Sequence, residues 1–143
     1  MTPTWWALSR RRPCRLRLPE PSVSAAEIAT STLSAHPKLA GLFSTNDQGA
    51  IGALTGLRQA GALGKVKVVA YDAAVAEVAA LKNGAIRVLI AQDPKQEGEV
   101  AMESAAKLIK SDKLGKTTLT EIVTIKAGDT ATADKYEYKG DCD

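Results

Sequence analysis

Aromatic side chains are scarce in this 143-residue chain, and no long apolar run is present. Only 4% of the residues are aromatic while 45% are hydrophobic, so the core must consist mainly of Ala, Leu, Val and Ile. Such a composition is typical of helices packed on a buried sheet and disfavours a small all-β sandwich. No apolar segment approaches the roughly 20 residues that cross a bilayer. The sequence therefore predicts one folded domain that does not span a membrane.

Histidine and cysteine are nearly absent, which excludes several kinds of site. His36 is the sole histidine, and the two cysteines, Cys14 and Cys142, lie near opposite ends in no metal-ligand spacing. The sequence is compatible with a disulfide between them and with a pair of unpaired thiols. One histidine supplies no convincing Ser/His/Asp or Cys/His arrangement. We therefore expect no catalytic residues, no metal and no cofactor.

Charge is distributed unevenly along the chain, whose net charge is +3. Residues 1–23 carry five arginines and one glutamate, or +4, so the remainder carries −1. The body of the chain lacks the clustered basic face that nucleic-acid binding requires. We expect no nucleic-acid function.

The first 23 residues differ in composition from the rest. They hold four of the six prolines, both tryptophans and no helical or strand period. Their arginines follow the short apolar run Trp5–Leu8, whereas a secretory signal places basic residues before a longer apolar stretch. A twin-arginine signal would likewise need an apolar segment after Arg10–Arg12. The sequence thus predicts a disordered or foreign leader over 1–23, with no recognisable signal peptide.

From residue 24 onward, helical and strand patterns alternate. Apolar spacing predicts helices over 24–35, from 47 to near Gly61 or Gly64, over 74–82 and over 94–110. Strands are predicted at 39–44, at VKVVAY (66–71), at RVLIA (87–91) and at LTEIVTIK (119–126). Residues 128–143 are polar and are expected to fray. This alternation predicts an α/β fold, three-layered, with a mainly parallel sheet and helices on both faces.

Polar side chains follow the predicted strands, at the sheet edge where α/β proteins bind ligands. Asn46, Asp72 and Gln92 can each make several directional hydrogen bonds, and Tyr71 offers an aromatic surface beside them. Together they suit a neutral polyhydroxylated ligand such as a sugar. The alternative is that Asn46 and Asp47 only cap the next helix. Asp72 and Gln92 would then be ordinary polar residues of loops.

Glycines at 49, 52 and 56 also follow a predicted strand. Their spacing matches neither the dinucleotide fingerprint nor a P-loop, so close helix packing explains them better than nucleotide binding.

Several longer strings resemble a known family. AHPKLAGLFSTNDQGAIGALTGLRQAG, GKVKVVAYDA, LKNGAIRVLIAQDPKQEGEVAMESAAKLIKSDK and EIVTIKA occur in this order between about residues 24 and 127. They resemble the carboxyl-terminal half of ribose/galactose-type periplasmic binding proteins of ABC transporters, which have the periplasmic binding protein type I fold. The effector domains of lactose-repressor-like regulators share that fold. The alternative function is therefore that of a sugar-effector domain in such a regulator, although residues 1–23 do not resemble the helix-turn-helix that these regulators need.

The resemblance implies a sugar site at the same residues. In the family, the Asn of the TND motif, the Asp of the (G)FD motif and the Gln of the AQ motif bind sugar hydroxyls. Carried over, these are Asn46, Asp72 and Gln92. Tyr71 stands where Phe is common, and Asp93 is a weaker candidate. In the family these positions bind or cap and do not catalyse, which argues against a glycosidase built on paired carboxylates.

The resemblance also implies that this chain carries half of a site. Complete members close two lobes over the sugar, and the chain matches only the second lobe, as if truncated. Residues 94–118 would pack on the first lobe, so the 94–110 helix lacks its usual partner and we expect a homodimer or an exchanged helix. The family further implies a membrane permease as partner, for a full-length form, and a periplasmic or extracytoplasmic location.

Overall fold

Helices and strands alternate through the computed structural model, which describes residues 21–110, 113–115 and 117–138. The leader up to residue 20, Cys14 and Cys142 lie outside these residues. The first helix begins at Pro21 rather than at residue 24, so three residues assigned to the leader belong to the folded part. The elements are α1 (Pro21–Ala35), β1 (Gly41–Ser44), α2 (Asp47–Gln59), β2 (Lys67–Tyr71), α3 (Val75–Lys82), β3 (Val88–Gln92), α4 (Pro94–Ile109), β4 (Ile122–Lys126) and α5 (Thr130–Tyr136).

The four strands form one sheet in the order β1-β2-β3-β4. β1 pairs with β2 and β2 with β3 in parallel, whereas β4 pairs with β3 in the antiparallel direction. Helices α2 and α3 are the crossovers of the two parallel pairs, as the alternating pattern requires. The predicted α/β class and the mainly parallel sheet are confirmed.

The packed core lies on one face of this sheet. Val68, Ala70, Leu89, Ala91 and Ile125 are fully buried there, in one cluster with the apolar residues of α2 and α3. The alternate residues of β2 and β3 are only half-buried or exposed. Strands placed side by side in chain order, joined by right-handed crossovers, put both helices on the same side. Over the described residues the helices therefore cover one face, whereas the sequence analysis placed them on both.

The expectation that the carboxyl-terminal segment frays is wrong for Thr130–Tyr136, which form α5. The Asp129 carboxylate caps this helix by accepting a hydrogen bond from the backbone N–H of Thr132 at 3.1 Å. Ala133 is fully buried in the core cluster, and Lys82 of α3 forms an ion pair with Asp134. These contacts hold a seven-residue helix that local sequence alone would not stabilise.

Helices α1 and α2 pack closely because of a glycine. A Cβ atom built on Gly56 would lie 2.4 Å from the carbonyl oxygen of Ala26 and 3.0 Å from its Cα. Both are backbone atoms of α1, so the contact can be relieved only by moving the helix. Of the three glycines after the first predicted strand, Gly56 is therefore a helix-packing residue.

We expect Gly56→Ala to lower the free energy of unfolding by about 2 kcal/mol, because α1 must shift away from α2. The matched control is Gly98→Ala in α4, where an added Cβ meets nothing within 4 Å. That change should stabilise the helix by about 0.5–1 kcal/mol. Urea unfolding of both variants measures the difference, and equal effects would show that the α1–α2 contact is looser than described.

Candidate functional site

The carboxyl ends of β1, β2 and β3 meet at one edge of the sheet. Ser44 pairs with Ala70, so Asn46 and Asp72 each lie two residues beyond the same paired position. Gln92 ends β3 and lies two residues beyond Ile90, which pairs with Tyr71. The register therefore brings the predicted polar residues to a common edge.

Asp72 and Gln92 are in direct contact. The Gln92 side-chain amide donates a hydrogen bond from Nε2 to Oδ1 of Asp72 at 2.9 Å. Both side chains are half-buried, and the backbone N–H of Asp72 donates to the carbonyl of Ile90 at 2.9 Å. A carboxylate has about four acceptor positions, so this bond leaves Asp72 with capacity for further donors. The pair presents a fixed acceptor and a fixed amide at the sheet edge.

The backbone of Asp72 is strained. Its φ of 96° makes it the one non-glycine residue with positive φ in the described part of the chain. Asp tolerates this region better than most residues, yet the conformation still costs on the order of 1 kcal/mol. Such strain persists only where surrounding structure enforces it.

Asn46 is the N-cap of α2, and Asp47 is the first residue of that helix. The Asn46 Oδ1 accepts a hydrogen bond from the backbone N–H of Gly49 at 2.7 Å, and Ser44 donates to the Asn46 carbonyl at 2.9 Å. The capping role weighed in the sequence analysis is therefore real, although it belongs to Asn46 and not to Asp47. Because capping uses only the oxygen, the exposed Asn46 amide keeps its two N–H donors.

The two remaining candidates occupy different positions. Tyr71 is half-buried as the last residue of β2, directly before Asp72. Asp93 is the N-cap of α4, and its Oδ1 accepts a hydrogen bond from the backbone N–H of Gln96 at 3.0 Å. Asp93 therefore serves the start of that helix, in keeping with its weaker standing as a ligand contact.

Glu77 lies beneath this edge and was not singled out from the sequence. Its side chain is fully buried, Oε2 accepts a hydrogen bond from the backbone N–H of Ala74 at 3.2 Å, and Oε1 has no hydrogen-bond partner among the described residues. Burial raises the pKa of Glu77 from 4.5 to about 7, aided by the carboxylates of Asp72 and Asp47 and opposed by the Ala74 bond. The available signal was a glutamate three residues after the N-cap position of a helix, which is half of a capping box.

We expect Glu77 to make the protein less stable as the pH rises from about 4.5 to 7. In this range the folded state keeps a proton that the unfolded state releases, so folding stability falls with pH and levels off above the folded pKa. The shift corresponds to at most about 3 kcal/mol. Urea unfolding between pH 4.5 and 7.5 should show a smaller decline in Glu77→Gln.

The control is Glu99→Gln, which removes an exposed carboxylate of α4 and should leave the decline as it is. A Glu77→Gln variant with the wild-type pH dependence would show that this carboxyl is already ionised in the folded protein.

A pocket of about 320 Å³ adjoins the Asp72–Gln92 pair. Its lining includes Gln92, Asp93 and Lys95 from the end of β3 and the start of α4, and Tyr136 and Tyr138 from the carboxyl-terminal segment. The sequence analysis missed Tyr138 because it assigned this segment to a fraying tail.

Neither a metal nor a membrane span is indicated in the part of the chain that the structure describes. No group of three His, Cys, Asp or Glu side chains within 21–110, 113–115 and 117–138 could hold a metal ion. No helix formed by those residues is long and apolar enough to cross a membrane.

Comparison with known proteins assigns the family. The sequence model of a protein family, described as the periplasmic binding protein domain, matches residues 21–114. The chain belongs to the periplasmic binding protein domain family. This confirms the resemblance noted from the sequence strings.

Relatives of this periplasmic binding protein domain are named for sugars. The chain is 34% identical over 92 residues to the ribose import binding protein RbsB of Escherichia coli K12, covering 64% of this chain and 31% of that protein. It is 35% identical over 82 residues to a D-ribose/D-allose-binding protein of Pseudomonas aeruginosa, covering 57% and 26%. The chain thus spans less than a third of the length of these relatives.

Solved structures support the same fold. An ABC transporter solute-binding protein of Agrobacterium vitis, bound to α-D-tagatopyranose, superimposes with a TM-score of 0.75 at 31% identity over 82% of this chain and 40% of that one. A solute-binding protein of Actinobacillus succinogenes 130z with bound D-allose gives a TM-score of 0.71 at 31% identity, covering 80% and 39%. The α/β architecture is therefore that of sugar-binding members of the family.

Proposed function

We propose that this chain is a lobe of the substrate-binding component of an ABC sugar importer and binds a neutral monosaccharide without covalent chemistry. The observation that supports this most directly is the Asp72–Gln92 pair, fixed at the sheet edge by the parallel register and by a strained backbone. The importer context rests on the names of the relatives and solved neighbours, and the extracytoplasmic location rests on the periplasmic binding protein family. A membrane permease is the partner that such an importer requires.

Each proposed ligand residue has a distinct capacity. Asp72 accepts hydrogen bonds from adjacent sugar hydroxyls, because a carboxylate forms strong charge-assisted hydrogen bonds. Asn46 donates through the amide nitrogen that capping leaves free, and Gln92 accepts through its Oε1 while its nitrogen holds Asp72. Tyr71 covers the apolar C–H side of the ring. D-Ribose and D-allose are the first ligands to test, since relatives and a solved neighbour carry these names.

Affinity in the isolated chain should be weak, on the order of millimolar. The site is an open edge, so the sugar keeps water on its far side and gains contacts from one lobe only. Because water competes for every exposed hydroxyl, each hydrogen bond contributes less than it would in a closed cleft.

The decisive test is titration calorimetry of the wild-type chain with D-ribose and D-allose, alongside Asp72→Gly. Glycine accepts a positive φ, so relief of strain should offset the lost Gln92 bond and keep the unfolding free energy within about 1 kcal/mol of wild type. Removing the carboxylate should weaken binding at least about tenfold.

Glu103→Gln, an exposed carboxylate on α4, is the control and should bind as wild type does. Saturable binding that survives in Asp72→Gly would place the sugar elsewhere. No binding of any pentose or hexose would contradict the proposed function of this chain.

We further propose that α4 packs against a second copy of the chain. None of the residues whose burial is described in α4 is buried, and Met102, Leu108 and Ile109 are 74%, 60% and 85% exposed. The spacing of these three residues suits one face of a helix. A helix with an uncovered apolar face gains stability when that face is buried against another chain.

Light scattering coupled to gel filtration should therefore show a dimer that Met102→Glu converts to monomer. Burying a new carboxylate without a partner is costly, so the interface should not form. Ala131→Glu introduces the same charge at an exposed position on α5 and should leave the dimer intact. A monodisperse monomer of the wild-type chain at all concentrations would exclude this assembly.

A further inference from the structure

The carboxyl-terminal segment returns to the ligand edge of the sheet. β4 runs antiparallel to β3 and therefore leads away from that edge, and α5 brings the chain back. The backbone N–H of Tyr138 donates to the carbonyl of Ala73 at 3.2 Å, and Tyr138 forms a parallel bridge with Ala74. Tyr138 is thus fixed beside the two residues that follow Asp72.

The side chain of Tyr138 lies near the proposed sugar contacts. It lines the same pocket as Gln92, whose amide holds Asp72. Partial burial, together with the carboxylates of Asp72, Asp47 and Glu77, which repel a phenolate, raises the pKa of Tyr138 to about 12. The phenol therefore stays protonated at every physiological pH and can donate a hydrogen bond.

We propose that Tyr138 is a further sugar contact of this lobe, presenting its ring and hydroxyl beside Gln92 and Asp72. The inference rests on the proposed function of the same edge. A monosaccharide has alternating hydroxyl-rich and C–H-rich surfaces, so an aromatic ring beside an acid–amide pair complements both.

The experiment is an NMR titration of the chain carrying ¹³C-labelled tyrosine with D-ribose and D-allose. The sequence has three tyrosines, so Tyr138→Phe assigns the Tyr138 ring signals. We expect these signals to shift along a saturating curve that gives the same dissociation constant for the sugar as calorimetry does. Tyr138→Ala should raise this dissociation constant about five-fold, because the contact area and apolar cover of the ring are lost.

Tyr138→Phe separates the two roles of the side chain. It keeps the ring, so affinity between those of wild type and Tyr138→Ala is expected. Asp134→Ala is the matched structural control, because it removes the ion pair between α5 and α3 without altering a residue that lines the pocket. The ion pair is partly exposed and contributes little to the position of the segment, so sugar affinity should stay unchanged.

The outcomes separate this proposal from the function on which it rests. Wild-type binding that is unchanged in Tyr138→Ala would overturn the Tyr138 contact and leave the Asp72 site standing. Equal weakening by Tyr138→Ala and Asp134→Ala would also overturn it, because the residue would then act only by anchoring the tail. Absence of binding in the wild-type chain would overturn both.

Discussion

The parallel pairing of β2 with β3 is the constraint on which the site depends. It fixes the level of Asp72 relative to Gln92, and the bond from the Asp72 N–H to the carbonyl of Ile90 extends the ladder one residue beyond the strand. A slip of one residue in this pairing would move the buried Ala70 to the other face of the sheet and would move Asp72 with it. The core contacts that hold the register therefore also hold the site. Binding geometry and folding stability therefore share one set of interactions.

The loop after β2 is held from below and from the side. Glu77 binds the N–H of Ala74 from within the core, and Tyr138 binds the Ala73 carbonyl through its backbone. Both contacts involve residues immediately after Asp72, whose positive φ would otherwise relax. A buried carboxyl and a strained aspartate are each unfavourable for stability. Their occurrence together is typical of a ligand site whose geometry is fixed before the ligand arrives.

Sequence patterns predicted the parts of the fold whose signal is local. VKVVAY and RVLIA indicated two buried strands, and the polar residues after them, Asp72 and Gln92, are in contact in the structure. The layer arrangement was not recoverable in full, because half-buried strands next to helices leave open which sheet face is covered. Helix α5 and Tyr138 were missed because their positions depend on long-range contacts with α3 and with Ala73, and a segment of seven residues is too short to give a clear periodic signal.

The described hydrogen bonds between helix α4 and the rest of the chain lie at its amino-terminal end. Its first turn is attached to the sheet, since Asp93 caps the helix and the Gln96 side chain accepts a hydrogen bond from the backbone N–H of Glu121 at 3.0 Å. Beyond that turn the helix is stabilised by its own hydrogen bonds and two long i,i+4 ion pairs, each worth a few tenths of a kcal/mol. An isolated helix of this length is marginal in water. The same attachment that positions Gln92 thus leaves the apolar face of the helix exposed, so the proposed dimer would link the proposed sugar site to the state of assembly.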